Sequence, residues 1–161
     1  MNTIYLPLYS DRNNTVYSQS GLNAWNGASK NPLTNDPRPR DEVYIPIPIW
    51  IHRTFPTFFG FNALDPNQQD ASINGFCLRS PVGNWDAIIT QENSKALETN
   101  PQSALGKWIL RDVLNLPYGT VLTMDMLNKK KIDSVKITKV DSGFRIEIAP
   151  FNAFRNWKAT L

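Results

Sequence analysis

The chain has 161 residues and a mass of 18.3 kDa, enough for one domain with a real core, and it is 41% hydrophobic and 19% charged. That balance excludes a disordered chain, a collagen and a coiled coil, and no apolar run is long enough to span a membrane. A single cysteine (Cys77) and a single histidine (His52) exclude an internal disulfide and a Cys/His zinc site, and a net charge of +3 is too small to announce nucleic acid by itself.

The opening TIYLPLYS alternates apolar and polar residues and predicts a strand, and DRNNTV predicts a turn. From Gln19 to Asp41 the chain is polar and small, with prolines, and no helix or strand period survives. A segment of that length inside a compact domain is usually functional or disordered, and the embedded Leu22 and Trp25 argue against a mere linker. VYIPIPIWI (43–51) predicts a strand, placed at a sheet edge because Pro46 and Pro48 cannot donate to a ladder. Residues 55–72 read as an aromatic knot followed by a turn. INGFCLRS (73–80) and WDAIITQE (85–92) predict a hairpin around PVGN, with NSKALETNP as a polar return. A helix starts near Pro101, carries Leu105, Trp108, Ile109 and either Val113 or Leu116 on one stripe, and stops at Pro117. Thr123 is a natural N-cap for a short second helix. DSVKITKV (133–140) and GFRIEIA (143–149) predict a closing hairpin around Asp141-Ser142-Gly143. The aromatic tail from Phe151 is expected to pack on the domain or on a following one, with Trp50 and Trp108 in the core. About seven short strands that do not alternate with helices predict a mostly β, small mixed barrel or pseudobarrel.

Catalytic motifs are absent: there is no GxGxxG, GxxxxGK[ST], HExxH or GxSxG. Glu92-x-x-Lys95 has the wrong spacing for a two-carboxylate nuclease centre. His52, after an apolar strand, reads as a structural or phosphate-contacting imidazole, and Cys77 as a buried small hydrophobe. SGLNAWNG (20–27) offers Ser20, Asn23 and Asn26 to base edges and Trp25 for stacking, or else forms a surface loop anchored by Leu22 and Trp25. Gln91, Asn93, Ser94 and Lys95 cluster at the end of a hairpin strand with similar capacities, or form a solvated turn. Charge is uneven: residues 129–161 hold eight Lys/Arg against three Asp/Glu, a net of +5, and residues 1–128 nine against eleven, a net of −2. The run Lys129-Lys130-Lys131 in that basic third suits phosphate contact, or a solvated face.

These blocks, SGLNAWNG, RPRDEVYIPIP, AIITQENSKALET, ALGKWILRDVLNLPYGTVLTMDML and DSVKITKV, resemble in order and spacing the DNA-recognition domain of the NgoFVII/BfiI group of restriction endonucleases. That domain belongs to a pseudobarrel family shared with the plant B-three-type transcription-factor domain and the effector domain of EcoRII. The likeness covers residues 3–148. It implies a seven-stranded open β pseudobarrel with short helices over residues 1–150, and residues 151–161 as a tail or linker. It implies that two loop arms grip the DNA major groove. The N-arm pattern falls on Gln19, Ser20, Asn23, Trp25, Asn26, Arg38 and Arg40. The C-arm pattern falls on Arg79, Trp85, Gln91, Asn93, Ser94 and Lys95, with Lys30 and Lys129 to Lys131 as phosphate contacts. Two departures stand out: Lys131-Ile132-Asp133 replaces the usual tyrosine-glycine-arginine, and the helix keeps only Arg111 of an arginine pair.

The function implied is sequence-specific binding of double-stranded DNA at a site of about 5 base pairs, roughly half a turn of groove. The resemblance implies no catalysis and no cofactor in this domain. It implies a covalently attached nuclease domain, either downstream as in EcoRII or upstream as in BfiI, with Mg²⁺ a possible cofactor of that attached domain. The expected setting is a prokaryotic cytoplasm, with the isolated domain a monomer that does not engage membranes. Two other functions are open from the residues: a small Mg²⁺-dependent nuclease using Asp86, Glu92 and Lys95, and a protein-interaction module with a groove around Phe55, Phe58 and Phe59.

Overall fold

A computed structural model describes residues 2–27, 33–36 and 38–161. Among these residues seven strands form one mixed sheet in the order β1-β6-β7-β3-β4-β5-β2. They are β1 (Thr3–Pro7), β2 (Ile45–Pro46), β3 (Phe76–Ser80), β4 (Gly83–Thr90), β5 (Ala96–Asn100), β6 (Ser134–Val140) and β7 (Gly143–Ile148). All neighbours are antiparallel except β3 and β7, where Leu78 lies beside Phe144 and Arg79 beside Arg145. The outermost strands β1 and β2 approach each other, so the sheet curls into an open half-barrel. This is the pseudobarrel expected from the strand count.

Period-two alternation decides which side chains fill the barrel. Ile4 and Leu6 of β1, Leu78 of β3, Ala87 and Ile89 of β4, Val135 and Ile137 of β6 and Phe144 and Ile146 of β7 are buried. The alternate residues, among them Arg79, Asp86 and Arg145, face outward and are exposed. Both predicted hairpins form, β3 with β4 around Pro81-Val82 and β6 with β7 around Asp141-Ser142. Gly143 (φ 144°) is required where β7 starts, because a Cβ there would run into the carbonyl of Cys77.

Two expectations are corrected. The apolar run 43–51 contributes only Ile45–Pro46 to the sheet, at its edge as the prolines require. From Ile49 it becomes α1 (Ile49–Thr54), in which burial of Ile51 and His52 overrides the β-preference of the isoleucines. Conversely, the polar stretch 96–100 is β5, bridging β4 and β2. Its Leu97 and Thr99 point inward, and Glu98 and Asn100 hide the strand pattern by low β-propensity.

The predicted helix runs as α2 (Ser103–Gly106) and continues as a π-helix over Lys107–Val113. Leu105, Trp108 and Ile109 are buried as its stripe. Leu116 is buried too and Val113 is half-buried. A short helix α3 (Met124–Lys130) starts at Thr123, whose hydroxyl accepts from the backbone of Met126. The tail packs back on this domain as α4 (Ala153–Ala159). Phe154 is fully buried, and Trp157 meets Tyr5 and Trp50 at 5.7 Å and Phe55 at 6.0 Å between ring centres. At its start, Arg155 bonds the buried Asp133 at 3.1 Å and lies over the Tyr9 ring. Among the described residues no helix is long and apolar enough to cross a membrane.

Candidate functional site

Among the described residues, the turn between β4 and β5 has the densest run of positive-φ non-glycine backbone. Gln91, Asn93 and Ser94 all have positive φ, at 69°, 59° and 53°. Each such non-glycine residue costs of order 1 kcal/mol and persists only where its surroundings over-determine it. Here they do. The Ser94 hydroxyl donates to the carbonyl of Ala63 at 2.6 Å, and the carbonyl of Ser94 lies 2.7 Å from Nε2 of His52. The Ile47 amide bonds the carbonyl of Lys95 at 2.7 Å. His52 is buried, and that burial pushes its pKa below the ordinary 6.5, against the opposing pull of the Ser94 carbonyl. A carbonyl can only accept, so the neutral ring carries its proton on Nε2. His52 is therefore a structural imidazole that braces the turn. The turn presents Gln91, Glu92, Asn93 and Lys95, all exposed, with Gln91 donating to Glu98 at 3.3 Å.

Facing this turn across a cleft of about 610 Å³ are Ser10, Asp11 and Arg12, from the connection after β1. Ile47 to Trp50, Glu92, Asn93, Lys95 and Lys158 complete the lining. The cleft follows from the curl of the sheet, which brings the exits of both edge strands to one seam. Its wall carries three cations, Arg12, Lys95 and Lys158, and two carboxylates, Asp11 and Glu92. Asp11 Oδ2 accepts from the Trp50 indole at 2.9 Å and from Lys158 Nζ at 2.8 Å. The sequence reading treats DRNN as a plain turn and the tail as packing, and so misses Asp11, Arg12, Trp50 and Lys158. The polar cluster directly after a strand was the available signal.

The predicted N-arm residues divide. Gln19 is exposed, and Ser20 and Asn26 are half-buried, Asn26 donating to the carbonyl of Ser18 at 2.9 Å. The expectation that Asn23 addresses a base is corrected: it is completely buried. Its amide donates to the carbonyls of Leu122 (2.8 Å) and Tyr17 (3.0 Å) and accepts from the Leu122 amide (2.8 Å). Trp25, expected to stack or wedge, sits in the core at 8% exposure within a 3-10 helix (Gly21–Asn26). Arg38 pairs with Glu42 at 3.8 Å, and Arg40 lies over the Tyr118 ring. Arg111 lies over the same ring and bonds Asp41 at 3.0 Å.

The predicted C-arm is likewise two places. Arg79 pairs with Asn84 at the far end of the hairpin, about 20 Å along β4 from Gln91 at the usual rise per residue. Trp85 packs inward against Trp108 at 5.9 Å. Ser94, expected to face a ligand, is buried as the anchor of the turn. Lys129 pairs with Asp125 at 3.1 Å, while Lys130 is exposed and Lys131 ends α3 with a left-handed backbone. Lys30 lies outside the described residues.

The alternative constellations do not assemble. Asp86 lies on the outer face of β4, lining a trough of about 540 Å³ with Glu98 and the half-buried Cys77, away from Glu92 and Lys95. Cys77 is thus not the fully buried hydrophobe expected. No group of three or more metal-ligating side chains occurs among the described residues. Phe58 and Phe59 are buried in an aromatic cluster with Phe76 and Phe144, and Phe55 is stacked on Trp157, so this patch is packed rather than open. The chain matches no protein-family model and no curated protein.

Proposed function

We propose that this domain binds double-stranded DNA sequence-specifically, without catalysis of its own, as the recognition part of a restriction endonuclease. One observation carries the reading. Two polar turns, 10–12 and 92–95, line one cleft, and the second is braced in a strained conformation that puts Asn93 and Lys95 on the cleft wall, with Gln91 exposed at the start of the turn and bonded to Glu98. Those side chains have the donors and acceptors that read base edges, while Arg12 and Lys95 supply phosphate contacts. The resemblance of the sequence to restriction-enzyme recognition domains supports the same conclusion. The working N-arm in this reading is the Ser10–Arg12 turn.

Binding-site selection from randomised duplexes, followed by electrophoretic shifts at moderate salt, tests it. A recovered motif of about 5 base pairs is expected, with Gln91→Ala costing ~1–3 kcal/mol on the selected site and little on others. Recovery of no motif refutes the proposal.

A further inference from the structure

The C-terminal helix reaches into the cleft. Lys158, in the last turn of α4, sets its ammonium on Asp11 and over the ring of Trp50. The Lys158 side chain is 46% exposed, whereas the Asp11 carboxylate is 13% exposed. The carboxylate is thus held inside the wall by its two donors, and the lysine is open to the cleft. Trp50 and Lys158 donate to the same oxygen, Oδ2. A carboxylate held by an indole N–H and an ammonium occupies the position that an anionic oxygen of a ligand would take.

We propose that Asp11 is an internal stand-in for a phosphate: it holds the Lys158 ammonium in the free protein, and a phosphodiester of bound nucleic acid takes that ammonium over. This rests on the DNA-binding reading, and it makes α4 a third element of the site. Lys158 is half-exposed and gives up little on changing partner, and the Asp11 carboxylate keeps its bond from the Trp50 indole when the ammonium leaves. Asp11 then restrains affinity for polyanions in general, because only a phosphate positioned by the rest of the cleft captures Lys158.

The test uses the full chain and the variants Lys158→Gln, Asp11→Asn and their combination. The Asp11→Asn change retains an oxygen for the Trp50 indole and removes the charge. On duplex DNA, Lys158→Gln is expected to weaken binding about three- to tenfold and to lower the salt slope by about one ion. Asp11→Asn is expected to strengthen binding severalfold, and the Lys158→Gln loss persists when the two changes are combined. If Lys158 only positions the turn through Asp11, both single variants weaken binding, the salt slope is unchanged, and the double variant is no worse than Asp11→Asn; that pattern overturns the proposal. Inorganic tripolyphosphate gives an arm without nucleic acid. It is expected to raise the melting temperature of the wild type, more so for Asp11→Asn and less for Lys158→Gln. If tripolyphosphate behaves so and no duplex binds, the phosphate exchange stands and the DNA reading falls. If duplex binds and Lys158→Gln changes neither affinity nor slope, the exchange falls and the DNA reading stands.

Discussion

Replacing Asn23 separates a scaffold role from base reading more sharply than any other substitution. Its side-chain amide ties the 3-10 helix to the segment before α3 through two bonds to Leu122 and one to the carbonyl of Tyr17. Asn23→Ala removes three hydrogen bonds and leaves the amide and carbonyl of Leu122, itself 1% exposed, without partners. An orphaned buried donor or acceptor costs about 1–3 kcal/mol, so a total near 3 kcal/mol is expected. For a chain of this size that lowers Tm by about 6–12 °C. Asn23→Asp is expected to be at least as damaging at neutral pH, since it turns a carboxylate oxygen toward two carbonyls. Urea unfolding followed by tryptophan fluorescence, with a thermal melt as a second probe, measures both. If Asn23→Ala changes stability by less than about 0.5 kcal/mol, the ordinary range for surface positions, and yet abolishes binding to a selected duplex, the scaffold reasoning is refuted.

Gly106 sits in a helix, where Ala normally stabilises by about 1 kcal/mol. Here a Cβ would collide with the backbone of Asp41, so Gly106→Ala is expected to destabilise by about 1–3 kcal/mol, measured by urea midpoint. Burial holds His52 neutral in the folded chain below its ordinary 6.5. Between those two values the unfolded chain binds a proton that the folded chain does not, so stability is complete above pH 6.5 and falls as pH drops toward the folded value. Urea titrations across that window show the slope, and His52→Leu is expected to remove its share of it. Burial, partly offset by Arg155, pushes the Tyr9 hydroxyl up to about 12. Its share of stability is complete below 10.0 and is lost as pH rises through about 12. Ultraviolet titration should therefore show a late phase that Tyr9→Phe removes.

The local code of this protein was legible wherever a residue's neighbours in sequence were also its neighbours in space. The two hairpins, the Thr123 cap and the stripe of Leu105, Trp108 and Ile109 all follow from period and turn chemistry over a dozen residues. The prolines at 46 and 48 likewise assigned their strand to an edge. The polar turn at 91–95 stood out by composition alone, before its strained backbone and its brace by His52 were visible.

Long-range closure decided the rest. An asparagine has the same donors and acceptors whether it faces a base or the backbone of Leu122, ninety-nine positions away, and nothing beside Asn23 in the chain distinguishes the two. Arg79, beside the start of β4, and Lys95, beyond its end, belong to one stretch of sequence but lie far apart. Asp11, Trp50 and Lys158 belong to three distant stretches and share one carboxylate oxygen. Composition and period set the strands and which of their faces is apolar. The curl of the sheet, which buries that face and brings the exits of β1 and β2 to one seam, determined which polar residues meet there.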